Sequence, residues 1–175
     1  FKLYRDRLSG ADVEDAQFFA RVDNLREWLA QVEKRLGSLS RRLGDSVATH
    51  VVNTGLAGDA AAEANTTLPD NVNVQTSWFK IDDVFYEARG TAWALVHFFR
   101  AAELDFAHVL ADKNAEVSVR QIIRELEASL QPLQSPMVMN GGGFGLLANH
   151  SLVMANYLAR ANAATINLRE LFDQG

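Results

Sequence analysis

The chain has 175 residues, with 17 Lys and Arg against 22 Asp and Glu, a net charge of -5, no cysteine and an apolar share of 48%. That is enough for one domain with a sizeable core, and too apolar for general disorder. The acidic balance argues against nucleic acid, which needs a concentrated basic surface, and the lack of cysteine excludes disulfides, thiolate zinc sites, iron–sulfur clusters and thiol catalysis. No apolar run approaches the roughly 20 residues that span a bilayer, and no signal-peptide pattern opens the chain. It begins at Phe1 rather than Met, as expected of a piece of a longer protein.

The first element is a long helix over 12–51, with Ser9 or Asp12 placed to cap it. Its apolar positions are Phe18, Val22, Leu25, Leu29, Val32, Leu36, Leu39 and Leu43, spaced alternately by three and four. A 3.5-residue average period keeps one seam facing neighbouring helices. Gly37 and Gly44 fall outside that seam and predict a bend. Asp23, Glu27, Lys34 and Arg41 form a solvated face, and the pairs Lys34–Arg35 and Arg41–Arg42 lie on it. Residues 53–77 read as a long mobile loop, rich in Gly, Asn and Thr.

A second long helix is expected over 81–110, with the seam Ile81, Phe85, Ala88, Ala92, Leu95, Phe99, Ala102, Phe106 and Val109. Asp82, Asp83 and Glu87 near its start complement the helix dipole. Ser118 and Gln121 make a capping-box pattern for a shorter helix over 118–131, which Pro132 and Pro136 terminate. The loop Asn140–Gly145 then leads into a last long helix over 146–172, with the seam Leu147, His150, Met154, Tyr157, Ala161, Ala164, Leu168 and Leu171. Four such elements make residues 1–175 a single all-α domain, an elongated bundle of three long helices and one shorter one.

The second and fourth helices also carry apolar groups outside their seams, Tyr86, Trp93, Phe98 and Leu104 on one and Leu152 and Ile166 on the other. A helix that is apolar on most sides is buried on most sides. These two are therefore expected to form the centre, with any surplus apolar surface available as an interface or groove. Asn149, Asn156, Asn162 and Asn167 are expected to fix helix register.

The chemical motifs are weak. Gly141–Gly145 lacks the Gly-Lys-Ser/Thr of a phosphate loop and the preceding strand of a dinucleotide fingerprint. Asp105 and His108 are three apart on one helix and could present two metal ligands, but di-iron bundles need two Glu-x-x-His units and two further carboxylates. His150 falls within a seam, where a satisfied buried imidazole is the ordinary reading. No metal or cofactor is called for.

The stretches Lys80–Leu95, Val119–Glu127, Ser135–Gly141 and Gly145–Tyr157 resemble a bacterial family of unknown function, DUF2333. The resemblance extends more loosely over the first helix. It implies an envelope protein with its soluble part on the periplasmic side of the inner membrane, held by a membrane segment preceding Phe1, and it transfers no functional residues. The leading expectation is a non-enzymatic interaction or scaffolding domain with a protein partner, possible as a homodimer. A small-ligand or lipid-binding bundle is the alternative, with a groove between the second and fourth helices lined by Trp93, Phe98, Phe99 and Phe106. A metal-dependent enzyme using Asp105 and His108, or Glu103, is the third.

Overall fold

The computed structural model describes residues 1–8, 20–47, 49–52 and 71–174. The fold is all-α in class. Its helices are α1 (Lys2–Leu8), α2 (Val22–Gly44), α3 (Ile81–Asp105), α4 (Ala107–Asp112), α5 (Glu116–Ser129) and α6 (His150–Asp173). Two short strands, β1 (Thr49–Val52) and β2 (Asn71–Val74), pair antiparallel with Thr49 opposite Val74. A 3-10 turn at Trp78–Lys80 leads into α3.

Helices α2, α3, α5 and α6 run up, down, up and down around one core, each beside its chain neighbour, and α6 returns to close the ring against α2. Ion pairs mark every junction. Arg26 meets Asp173 at 2.7 Å across α2 and α6, and Arg35 and Arg42 meet Glu87 at 2.8 and 2.9 Å across α2 and α3. Arg120 meets Glu103 at 2.9 Å across α3 and α5, where Arg100 also pairs with Glu127. Arg160 meets Glu125 at 2.7 Å across α5 and α6. Each exposed pair contributes only about 0–1 kcal/mol, so apolar burial holds the bundle and the charges select neighbours.

The α2 seam is buried from Leu25 to Leu43 as its heptads predict, and Trp28 meets the buried Phe99 edge-on, with ring centroids 4.9 Å apart. Helix α2 runs through Gly37 without a break. The glycine faces α6, where a β-carbon would lie 3.5 Å from Asn162 Nδ2. Asn162 is thus the amide at a helix junction, whereas Asn156 and Asn167 are exposed.

The sequence-based boundaries need several corrections. The expected caps Ser9 and Asp12, and most of the 53–77 loop, lie outside the described residues. The first helix stops at Gly44 rather than 51, because β-branched Thr49, Val51 and Val52 enter the ribbon, whose second strand takes Asn71–Val74 from the expected loop. Thr76 then ties the chain back to α2, donating from its hydroxyl to Arg42 O at 2.7 Å and from its amide to Asp45 O at 2.9 Å. The helix expected over 81–110 is broken at Phe106 into α3 and α4. The capping box at Ser118 does not form: α5 begins at Glu116, with Ala115 as N-cap.

The buried line of α6 is Ser151, Met154, Leu158, Ala161, Thr165, Leu168 and Phe172, not the line through His150, Tyr157, Ala164 and Leu171. Thr165 is admitted because its hydroxyl donates to Ala161 O at 2.8 Å, and Ser151 because its hydroxyl donates to Asn140. Nor do the second and fourth helices form the centre by packing on each other. Helix α6 lies chiefly between α2 and α5, and α3 stands across the ring from it. Among the described residues, no helix is long and apolar enough to cross a membrane.

Candidate functional site

Helix α3 buries Val84, Phe85, Ala88, Ala92, Leu95, Val96 and Phe99. A second line runs along its opposite side through Tyr86, Gly90, Trp93, His97, Ala101 and Leu104. These positions are again three and four apart, so α3 carries two seams of heptad spacing and the described structure covers one. Tyr86 is 57% exposed, Trp93 61% and Leu104 79%. Trp93 and His97 stack edge-on with centroids 4.5 Å apart, and Phe85 supports Tyr86 in the same manner at 5.5 Å.

Gly90 sits between the two aromatic residues. A β-carbon there would meet nothing within 4 Å, so the glycine opens a notch in the stripe. Beside it, Tyr86, Arg89, Gly90, Trp93 and Leu130 line a cleft of about 390 Å³. Arg89 forms its floor. Its guanidinium donates to Leu130 O at 2.8 Å and Gln131 O at 3.0 Å, so it caps the end of α5.

Six residues were singled out as a possible interface or groove, and the structure divides them. Tyr86, Trp93 and Leu104 belong to the stripe. Phe98 faces α2, in a cleft of about 280 Å³ lined by Leu25, Trp28, Ala101, Ala102, Asp105 and Phe106. The residues expected to line a groove between the second and fourth helices do not share one: Phe98 and Phe106 line this cleft between α2 and α3, Phe99 is buried and Trp93 lies on the other side of the helix, whereas the cleft of about 300 Å³ that does touch both α3 and α6 is lined by Phe85, Arg89, His150, Met154 and Tyr157. Leu152 and Ile166 are half-buried on α6. Leu152 supports the glycine loop, 3.5 Å from where a β-carbon on Gly143 would lie.

Asp105 and His108 are both exposed and are separated by the helix break at Phe106. Among the described residues, no group of three or more His, Asp or Glu side chains is placed to hold a metal. Glu103 is engaged by Arg120. Glu87 is not merely a dipole partner. Its carboxyl is held below the ordinary value, first by the hydrogen bond from Arg42 and then by the charges of Arg42 and Arg35, with burial opposing them.

The glycine loop is no anion cradle but a locked hairpin. Gly141 N donates to Ala148 O at 3.0 Å, and Asn149 Nδ2 donates to Gly141 O at 2.6 Å. Asn149 Oδ1 accepts from Leu152 N at 2.8 Å and so caps α6. His150 pairs with Met139 twice, donating from its amide to Met139 O and accepting at Nδ1 from Met139 N, both at 2.8 Å. The tip of this loop leaves Phe144, Leu146 and Leu147 exposed. Sequence reasoning missed the lock because its donors and acceptors are mostly backbone. It singled out Tyr86, Trp93 and Leu104 on this side of the helix but not the continuous line, because Gly90 and His97 interrupt the apolar run.

A family model described as an uncharacterized protein conserved in bacteria, DUF2333, matches residues 1–175. No curated protein and no solved structure matches the chain.

Proposed function

Because the chain belongs to the DUF2333 family of bacterial proteins, whose description carries no activity, we propose a function from geometry: it is an interaction module that receives a partner helix along the outer face of α3. One observation carries the reading, the exposed heptad line Tyr86, Gly90, Trp93, His97, Ala101 and Leu104 opposite the core seam. A heptad line seats a second helix by inserting its side chains into the holes of the facing seam. Tyr and Trp suit this role, since each combines a large apolar area with few rotatable bonds and a polar tip.

The test is photo-crosslinking in cells with Trp93 replaced by p-benzoyl-phenylalanine, against the same replacement at exposed Asn167 on α6. A defined partner captured from position 93 and not from 167 is expected. No product from position 93 would refute the module. We also propose the periplasmic face of the inner membrane as its location. An alkaline phosphatase fusion to the full-length protein checks this by its activity, and an inactive fusion refutes it.

A second reading is supported by the apolar cleft between α2 and α3, whose size and lining suit an acyl chain. A lipid of fixed mass retained in native mass spectrometry, and lost on Phe98→Asp, would favour it over the module.

A further inference from the structure

We infer that the partner seated on α3 is a second copy of this chain, paired antiparallel about a two-fold axis beside residue 95; this rests on the interaction-module reading. In such a pair, residue i faces residue j when their numbers sum to a constant. With the axis beside residue 95, Trp93 faces the other copy's His97, Tyr86 faces its Leu104, and Gly90 faces its Arg100.

The stripe is self-complementary in this register. The Trp93–His97 contact already formed within one chain is repeated between chains. Leu104, more exposed than Tyr86 or Trp93, is carried to the cleft that Tyr86, Gly90 and Trp93 border. The Arg100 stem lies opposite the Gly90 notch, its guanidinium remaining on Glu127 of its own chain.

Charge selects the direction. A parallel pair would set Asp82 and Asp83 against their own copies, while Arg100 is compensated by Glu127 in either direction. The antiparallel pair carries Asp82 and Asp83 to opposite ends of the paired helices, away from their own copies. Glu87 faces Glu103 in this register, and both are already compensated, by Arg35 and Arg42 and by Arg120. Like charges left opposed disfavour the parallel arrangement.

Gly90 supplies an independent argument. A glycine inside a helix is less favourable than alanine, and nothing among the described residues requires the missing β-carbon. Close approach by another helix does.

The experiment uses the chain as it stands, whose lack of cysteine makes an introduced one unique. At a rise of about 1.5 Å per residue, the two His97 positions are offset by about 6 Å along the helices and the two Leu104 positions by about 27 Å. His97→Cys is therefore expected to give covalent dimer with a short bismaleimide, and Leu104→Cys is not. Crosslinking of both overturns the antiparallel register. Sedimentation equilibrium should show dimer at micromolar concentration. Gly90→Leu, which meets open space in the monomer, should weaken it at least tenfold with helicity unchanged. A strict monomer at about 100 μM overturns the self-pairing, and so does a dimer indifferent to Gly90→Leu. Capture of a different, identified protein from position 93 in cells would then leave the module standing without its second copy, and capture of nothing would remove both.

Discussion

Gly141→Ala and Gly142→Ala differ by one position, and the structure assigns them opposite outcomes. A β-carbon on residue 141 would lie 2.3 Å from Leu147 O and 2.9 Å from Leu147 C and Cβ. The first distance is about 1 Å inside contact, and the obstacle is backbone, which cannot rotate aside. Relief requires the two sides of the hairpin to part, which weakens the Gly141–Ala148 and Asn149–Gly141 hydrogen bonds. Overpacking of this kind costs about 1–3 kcal/mol. In a domain of this size that lowers the melting temperature by roughly 2–12 °C if the loop opens with the bundle. If it opens alone, amide exchange at Gly141 and His150 accelerates roughly 5- to 150-fold instead. A β-carbon on Gly142 meets nothing within 4 Å, so Gly142→Ala should stay within about 0.5 kcal/mol of the parent. Thermal melting with hydrogen exchange by mass spectrometry reads both quantities. Equal melting and equal exchange in the two variants would refute the locked hairpin.

Phe99→Ala removes a fully buried ring and its contact with Trp28, and should cost about 3–5 kcal/mol; urea unfolding checks this, and a loss below about 1 kcal/mol would contradict the packing described. Glu87→Gln should cost about 1 kcal/mol at pH 7, since the partners are partly exposed. A carboxylate depressed in the folded state stabilises above its unfolded value of about 4.3 and loses that contribution as the pH falls through the folded value, so the two proteins should converge in acid. An undiminished difference at pH 3 would exclude the Arg35–Glu87–Arg42 cluster as its cause. Zinc, manganese or iron at about 100 times a typical dissociation constant would add about 2.7 kcal/mol to a protein that binds it only when folded. We expect no such shift, and one abolished by His108→Ala would establish a metal site at Asp105 and His108.

The sequence was most legible where a helix has one neighbour-facing stripe. On α2 the apolar spacing names the buried residues from Leu25 to Leu43 without error. On α6 it fails by one position, because Ser151 and Thr165 occupy buried heptad sites and a hydrophobicity pattern passes over hydroxyls that bond locally. Ends were harder than interiors. Ser118 and Gln121 have the letters of a capping box, yet Ala115 starts the helix a turn earlier; Asn149 supplies the real cap on α6. Arg89 serves the carbonyls of Leu130 and Gln131 just past the end of α5, partners fixed only by tertiary packing. Of the candidate interface residues, Tyr86, Trp93, Phe98 and Leu104 are exposed on α3, where large apolar groups stand outside the core period, and Leu152 and Ile166 are half-buried on α6, which is covered from two sides.

The junction of α2 with α6 is the most extensive in the bundle, and it joins residues as far apart in the chain as Arg26 and Asp173, 147 positions. The other junctions around the ring are between successive helices. Closing that junction bears a larger loop-closure entropy than closing the others, since distant segments cost more to join than nearby ones. We expect α2 to dock last, on the α6 face that holds Leu158, Ala161 and Leu168. Until it does, that face waits open, and the α2 of a neighbouring molecule presents the same ridge of leucines. The step that completes the native bundle is thus also the step at which two chains, folding together at high concentration, can exchange their first long helix.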